Sequence, residues 1–357
     1  MKKMIALLLS LFAVQTALAE LPVVTEKLDL EAAKNFAVDR LEGGYSLITV
    51  QNGGRFLLIP AGMDAPDGLD ADIMLLYMPL DNLFVASTST GALMDEIGAL
   101  SAVTQTTYDV EDWYLPSVKQ AVQDGQIAYI GHYKQPDFER IALNPPKLAV
   151  FSTMIEGTPD VREKLDELGI PLLVDSSALE ETPLGRMEWI TLYGLLLGKT
   201  EAAESFFQAQ SRKLDDICTG ESTGKTVAFF YISSNGSVNV RKPGDYISKM
   251  IELAGGQYIF SADDLNVEEN ALSTMNIQME AFYAGAKDAD YLIYNSTIDG
   301  AVSTIDQLLQ KSPLLADFAA VQSGNVWCTE QNMFQQTTGA ADMIADLHAV
   351  VTGEADG

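Results

Sequence analysis

Residues 183–225, PLGRMEWITLYGLLLGKTEAAESFFQAQSRKLDDICTGESTGK, constrain this chain more than any other stretch. They read as two consecutive helices set between two segments that show the same order of elements. The first, 186–197, carries Met187, Ile190, Tyr193, Leu196 and Leu197 at helical spacing and is stopped by Gly198. Thr200 is the expected cap of the second, with Glu201 and Glu204 in a first turn where the helix dipole favours acids. That second helix, 200–217, would be about 27 Å long at 1.5 Å per residue. A helix of this kind between two similar halves predicts a spine that joins two lobes.

The flanking segments alternate strands with helices. Before the spine, strands are expected at 83–86, 127–130, 147–151 and 171–174, with helices at 91–100, 115–123, 136–144 and 158–168. After it, TVAFFYI (226–232) reads as a buried strand, Ser233-Ser234-Asn235-Gly236 as a turn and 238–241 as the returning strand. Helices follow at 245–254, 279–286, 304–310 and 340–351, with strands at 291–295 and 325–328. This succession predicts an α/β fold of two Rossmann-like lobes with parallel sheets, joined by a single long α-helix. FERIALNPPKLAVF (138–151) echoes MEAFYAGAKDADYLIY (279–294), and EIGALSAV echoes ELAGGQYIF, in the same order on either side of the spine. Residues 20–80 read differently. Strand-like runs at 46–50, 55–60 and 72–78, with Asn52-Gly53-Gly54 as a hairpin turn, mark an N-terminal β-rich extension packed on the first lobe. The expected division is a leader at 1–19, the extension at 20–80, the N-terminal lobe at 81–199, the interlobe helix at 200–217 and the C-terminal lobe at 218–357.

The leader is a secretory signal. Lys2 and Lys3 form its basic start, 4–14 its apolar run and Ala17-Leu18-Ala19 its cleavage site. The apolar run is too short to span a bilayer, and no Cys follows the cleavage site for lipid attachment. An exported, soluble protein is expected. The 22 basic residues face 50 acidic ones, a net charge of −28, which argues against nucleic acid and anionic membrane surfaces as partners. Two cysteines, Cys218 and Cys328, leave open either one disulfide or two separate thiols in an oxidising compartment. His132 and His348 are too few for a His-rich metal site. No GxSxG elbow, HExxH helix or CxxC pair is present, and the Gly198-Lys199-Thr200 run lacks the upstream glycine of a phosphate loop. An enzyme is not expected.

Taken as an ordered set, DFERIALNPPKLAVF, STMIEGTPDVREKLDELGIPLLV, PLGRMEWITLYGLLLGKTEAAESF, DYISKMIELAGGQYIF, MEAFYAGAKDADYLIYN and NVWCTEQNMFQQTTGAADMI resemble the substrate-binding proteins of ABC importers of the class III, iron-siderophore, haem and cobalamin type. The resemblance covers roughly residues 80 to 350. It implies two lobes on a rigid helix, a ligand held in the cleft between them, small opening motions, and delivery of the ligand to a permease and its ATPase. It implies a monomer with no cofactor of its own, whose cargo is a ferric siderophore, haem or a corrinoid. It also implies that Glu139 and Glu280, one per lobe, dock onto permease arginines. An extracellular sensory or scaffold domain of the same fold is the competing class.

Ligands of parallel sheets sit beyond the C-terminal strand ends. The residues expected there are Ser89, His132, Tyr133, Lys134, Ser152 and Met154 in the first lobe, and Tyr231, Asn235, Arg241, Asn295 and Trp327 in the second. Arg241 is the most pointed of them, since a guanidinium holds a carboxylate bidentately. Tyr133, Tyr231 and Trp327 offer aromatic faces to a large planar ligand. Either side chain of His132-Tyr133 has the chemistry to ligate haem iron, although such a pair is more often loop packing.

Overall fold

A computed structural model describes residues 21–218 and 222–355; the expected leader lies outside the described residues. The extension forms a five-stranded sheet of β1 (Val24–Lys27), β2 (Phe36–Leu41), β3 (Ser46–Val50), β4 (Gly54–Ile59) and β5 (Ile73–Tyr77), in that spatial order. The first four pair antiparallel, while β5 joins β4 in parallel. Strand alternation splits its two faces. Phe56 and Leu58 enter the core of the first lobe, whereas Leu57 and Ile59 pack under the 60–72 crossover.

The first lobe carries β6 (Leu83–Ala86), β7 (Val103–Thr106), β8 (Ala128–Tyr129), β9 (Leu148–Ser152) and β10 (Leu172–Asp175). All pairs are parallel, in the spatial order β8-β7-β6-β9-β10. The order reverses between β6 and β9, which creates a switch point where two chain crossovers diverge. Phe84, Ala149, Phe151 and Val174 face helices Phe138–Leu143 and Pro159–Glu167 on one side. Val85, Leu148, Val150 and Leu173 face the extension and helix Pro183–Leu196 on the other. The extension is thus the second covering layer of this sheet, and the Phe36 and Trp189 rings meet edge to face at 5.1 Å.

Two buried carboxylates fix that layer. Glu188 accepts from the backbone N–H groups of Glu31, Ala32 and Ala33 at 2.6–2.8 Å. Glu180 accepts from the N–H groups of Lys34 and Asn35 and from Trp189 Nε1, each at 2.9 Å. Buried charge tolerates this only where its lone pairs are filled, and here backbone donors fill them.

The second lobe carries β11 (Thr226–Ile232), β12 (Val238–Arg241), β13 (Gln257–Tyr258), β14 (Thr274–Ile277), β15 (Tyr291–Tyr294) and β16 (Val326–Cys328). The expectation of a parallel sheet is corrected here to a mixed one. β11 pairs in parallel with β13 and β15, and β15 with β16, but the hairpin at Asn235 sends β12 back antiparallel, and β14 pairs antiparallel with β12. A turn that short has no room for the crossover a parallel partner needs.

The spine helix is Thr200–Ile217. Ala203 and Phe207 enter the first-lobe core and Leu214 the second, so one apolar stripe crosses between lobes. The cap is Lys199, without a side-chain bond, and Thr200 is already helical. The preceding helix, Pro183–Leu196, begins at Thr182, whose hydroxyl accepts from Gly185 N at 3.0 Å. Trp189, Ile190, Leu192, Tyr193 and Leu196 of this helix pack in the first-lobe core, while Met187 enters the second-lobe core. A Cβ on Gly194 would lie 2.5 Å from Ala203 Cβ, so the glycine permits the tight return between the two helices.

Candidate functional site

A cavity of ≈ 910 Å³ lies at the junction of the lobes. Ser89 and Thr153 reach it just past β6 and β9, on either side of the switch point, and Ser177 just past β10. Arg186 enters from helix Pro183–Leu196. The second lobe contributes Arg241, Asp245, Tyr246, Ile293 and Trp327, and the closing helix Ala340–Thr352 contributes Asp342, Met343 and Asp346.

Ser87 caps helix Thr88–Glu96, its hydroxyl accepting from Thr90 N at 3.3 Å, which turns Ser89 toward the opening. Behind it Asp175 is buried. Its carboxylate accepts from Thr90 Oγ1 (2.7 Å), Tyr193 Oη (2.6 Å) and Ser177 N (2.8 Å). Burial pushes the Tyr193 phenol well above its usual pKa and the Asp175 charge adds to this, so the phenol stays a donor.

Two guanidiniums face the cavity and share one aromatic ring. Arg186 stacks on Tyr246 at 3.7 Å from Cζ to ring centre, and Arg241 lies 6.0 Å from the same ring. Arg241 is also framed by Phe229 at 5.4 Å and Phe334 at 4.9 Å, and it pairs with buried Asp245 at 3.5 Å. Its backbone is held from both sides by the Tyr258 phenol, which accepts from Arg241 N (2.9 Å) and donates to Arg241 O (2.8 Å). Burial raises the Tyr258 phenol far above its ordinary value. Arg186 donates from Nη2 to Ala178 O at 2.5 Å, while its buried Nε has no partner. Burial lowers the Arg186 pKa, yet a guanidinium remains charged. The arrangement sets two guanidiniums on the wall of one cavity, a donor chemistry suited to an anionic group.

Of the residues expected at strand ends, Ser89, Arg241 and Trp327 line the cavity. Arg241 does so from an unexpected position: β12 runs antiparallel, so Arg241 lies opposite Thr274 and beside Phe229, level with the middle of β11. The others are not among the lining residues. His132 and Tyr133 pack on each other at 4.6 Å, with Lys134 Nζ 5.7 Å from the Tyr133 ring. Ser152 begins a 3-10 turn that holds Met154, which is exposed. Tyr231 is partly buried at the margin of the second-lobe core. Asn235 accepts from Ser237 N at 3.0 Å within its own turn, and Asn295 caps helix Ser296–Asp299 by accepting from Thr297 N at 3.1 Å. Asn and Asp fill such turn roles by bonding their own neighbours. Arg186 and Tyr246 were missed. Each stands in the first turn of a helix, and the strand-end argument does not look there.

Cys218 and Cys328 are both free and exposed, so the disulfide left open above is not formed. Cys218 ends the spine helix, whereas Cys328 lines the cavity. Glu139 and Glu280 are exposed, and each is the second residue of its helix, Phe138–Leu143 and Met279–Ala286. Those helices precede β9 and β15, each the parallel neighbour of its lobe's first strand. Among the described residues, no cluster of three or more His, Cys, Asp or Glu is placed to hold a metal ion, and no helix is long and apolar enough to cross a membrane.

Comparison with known proteins places this geometry. Two uncharacterized lipoproteins of Methanocaldococcus jannaschii are similar to the chain. One is 27% identical, covering 87% of this chain and 75% of that protein; the other is 25% identical, covering 82% and 74%. A periplasmic binding protein from Veillonella parvula superposes with a TM-score of 0.64 at 18% identity, over 81% of this chain and 97% of that one. The periplasmic haem-binding protein of Vibrio cholerae gives 0.59 at 17% identity, over 74% and 96%. A Fe3+-hydroxamate transport protein of Saccharomonospora viridis gives 0.56 at 18%, over 76% and 93%. The family described as periplasmic binding protein matches residues 85–332, and the chain, with its two α/β lobes on a connecting helix, belongs to that family of transport substrate-binding proteins.

Proposed function

We propose that this protein captures a ferric siderophore-like complex outside the cytoplasm and delivers it to an ABC permease and its ATPase, without catalysing a reaction. The observation that carries the reading is the pair of cavity-facing guanidiniums, Arg186 and Arg241, supplied by different elements and joined through Tyr246. Two forks set at a fixed spacing favour an anion with several oxygens. Among the described cavity residues there is no histidine, and the one tyrosine lies under Arg186. Among the described residues no group of three or more His, Cys, Asp or Glu is placed to hold a metal ion, which favours iron whose coordination is already filled by a chelator. The Fe3+-hydroxamate transport protein of S. viridis supports this cargo class by analogy of fold.

Haem or a corrinoid is the second reading. The cavity volume of ≈ 910 Å³, the Trp327 and Phe334 rings and the Met333 and Met343 thioethers on its wall favour a large planar ligand. Glu139 and Glu280 are assigned to permease docking, because their matched placement gives each lobe one exposed carboxylate of equivalent position. Two such points favour orientation and steer association.

Titrating the leader-free protein by intrinsic fluorescence with ferric siderophores, haem and cobalamin tests the cargo. Binding of a ferric complex below roughly micromolar, a free energy of about −8 kcal/mol, is expected; failure of all three classes overturns the assignment. Docking is tested in reconstituted uptake with Glu139→Arg and Glu280→Arg. Each is expected to abolish transport while cargo binding stays intact, and unchanged transport removes the role.

A further inference from the structure

Residues 329–339 leave β16, run along the cavity and lead into the closing helix. This strap makes a contact with the first lobe that the cargo site does not require. The side-chain amide of Gln335 uses both its ends on the first-lobe backbone: Oε1 accepts from Tyr114 N at 2.9 Å, and Nε2 donates to Asp112 O at 2.6 Å. The two groups flank Trp113, which is buried against helix Thr88–Glu96 so closely that a Cβ on Gly91 would lie 2.9 Å from its ring. Gln335 thus grips a rigid turn anchored to the helix that carries Ser89 into the cavity.

The strap is bonded to itself at that point. Asn332 O accepts from both Gln335 N (2.8 Å) and Gln336 N (2.9 Å), and Asn332 Nδ2 donates to Gln336 Oε1 at 2.8 Å. One residue before the grip, the Phe334 ring covers the Arg241 guanidinium. A shift of Phe334 is therefore passed to Gln335 through a single peptide unit. Gln335 is itself buried, so its two hydrogen bonds are sheltered from water and neither end is replaced cheaply.

We infer that Gln335 is an interlobe clasp, coupled through Phe334 to the anion site at Arg241, and that it sets how long cargo is retained. The inference rests on the reading of the cleft as the cargo site, but the clasp itself is measurable without cargo. Closure here needs a side chain that both donates and accepts. A carboxylate at the same position keeps the bond to Tyr114 N and sets a negative oxygen against the Asp112 carbonyl.

The test uses the leader-free protein with Cys218 and Cys328 changed to Ser and spin labels on Gln123→Cys and Asp288→Cys, exposed positions of the two lobes. Pulsed electron–electron distance measurement on cargo-free protein is expected to show a longer and broader interlobe distribution for Gln335→Ala and for Gln335→Glu. Gln331→Ala, on the same strap but exposed, should match the parent. Stopped-flow release of a bound ferric siderophore should speed by about tenfold in Gln335→Ala, with the association rate little changed. Circular dichroism checks that each variant is folded. If the distances of both folded Gln335 variants match the parent, the clasp is overturned whatever the cargo proves to be. If the distances lengthen and no cargo class binds, the clasp stands as a closure device and the cargo reading alone fails.

Discussion

The two lobes handle buried charge in opposite ways. The first lobe buries anions: Asp175, Glu180 and Glu188 each take their hydrogen bonds from neutral hydroxyl, indole or backbone donors. The second lobe buries a cation, Arg241, beside a carboxylate and among aromatic rings. The carboxylates of the first lobe have their acceptor sites occupied by the protein itself, so they act as internal fasteners. The guanidinium of the second lobe faces a cavity, and its neighbour Arg186 retains a buried donor without a partner. The first-lobe carboxylates are enclosed by their donors, whereas both guanidiniums lie on the wall of the cavity.

Glu188→Ala should break this contrast most severely. It strips the acceptor from three backbone N–H groups and releases the extension from helix Pro183–Leu196. Urea unfolding should report a loss of at least about 3 kcal/mol. A loss below about 1 kcal/mol would mean that these bonds are not the fastening. Next comes Arg241→Ala, which should weaken ferric siderophore binding by about a hundredfold, with Arg241→Lys recovering little of it, because an ammonium cannot reproduce the fork. Recovery by Lys would reduce the site to a point charge. Arg186→Met should cost about tenfold in the same titration; a larger loss than at Arg241 would reverse the ranking of the two forks.

The smallest effect sharpens the comparison at a helix start. Asp264 completes a capping box with Ser261, and the Ser261 hydroxyl and backbone N–H hold its carboxyl below the usual carboxylate range. Because the folded pKa is depressed, this contribution is present above the unfolded pKa and is lost as pH falls through the folded one. Asp264→Asn should therefore flatten a small acid-side slope of stability; a slope equal to that of the parent would contradict this.

Much of the framework was legible because it rests on local pattern. The spine at Thr200–Ile217 and the helix at Met279–Ala286 carry their apolar spacing and an acid in the first turn in their own residues. β1, β2, β7 and β14 were not legible. VTEK and TMNI contain little apolar alternation, and they become strands only by pairing with neighbours. The site divided along the same line. Arg241 stands out as a cation at a strand end, whereas Arg186 sits in a helix and meets the second lobe through Tyr246, with Met187, one residue on, in the second-lobe core. His132 and Tyr133 have suggestive chemistry but occupy a loop that packs on itself. Residue type alone does not distinguish a ligand from a neighbour.

The central claim is that the cavity reads negative charge through Arg186 and Arg241. Isothermal titration of the protein from residue 20 onward with two ferric complexes of similar size, one carrying free carboxylates and one uncharged, tests it most directly, with the Arg186→Met/Arg241→Met double variant in parallel. The account predicts that the anionic complex binds the parent at least about tenfold more tightly and that the double variant loses this preference. Equal affinity of the parent for both complexes, or a preference that survives in the double variant, would contradict it.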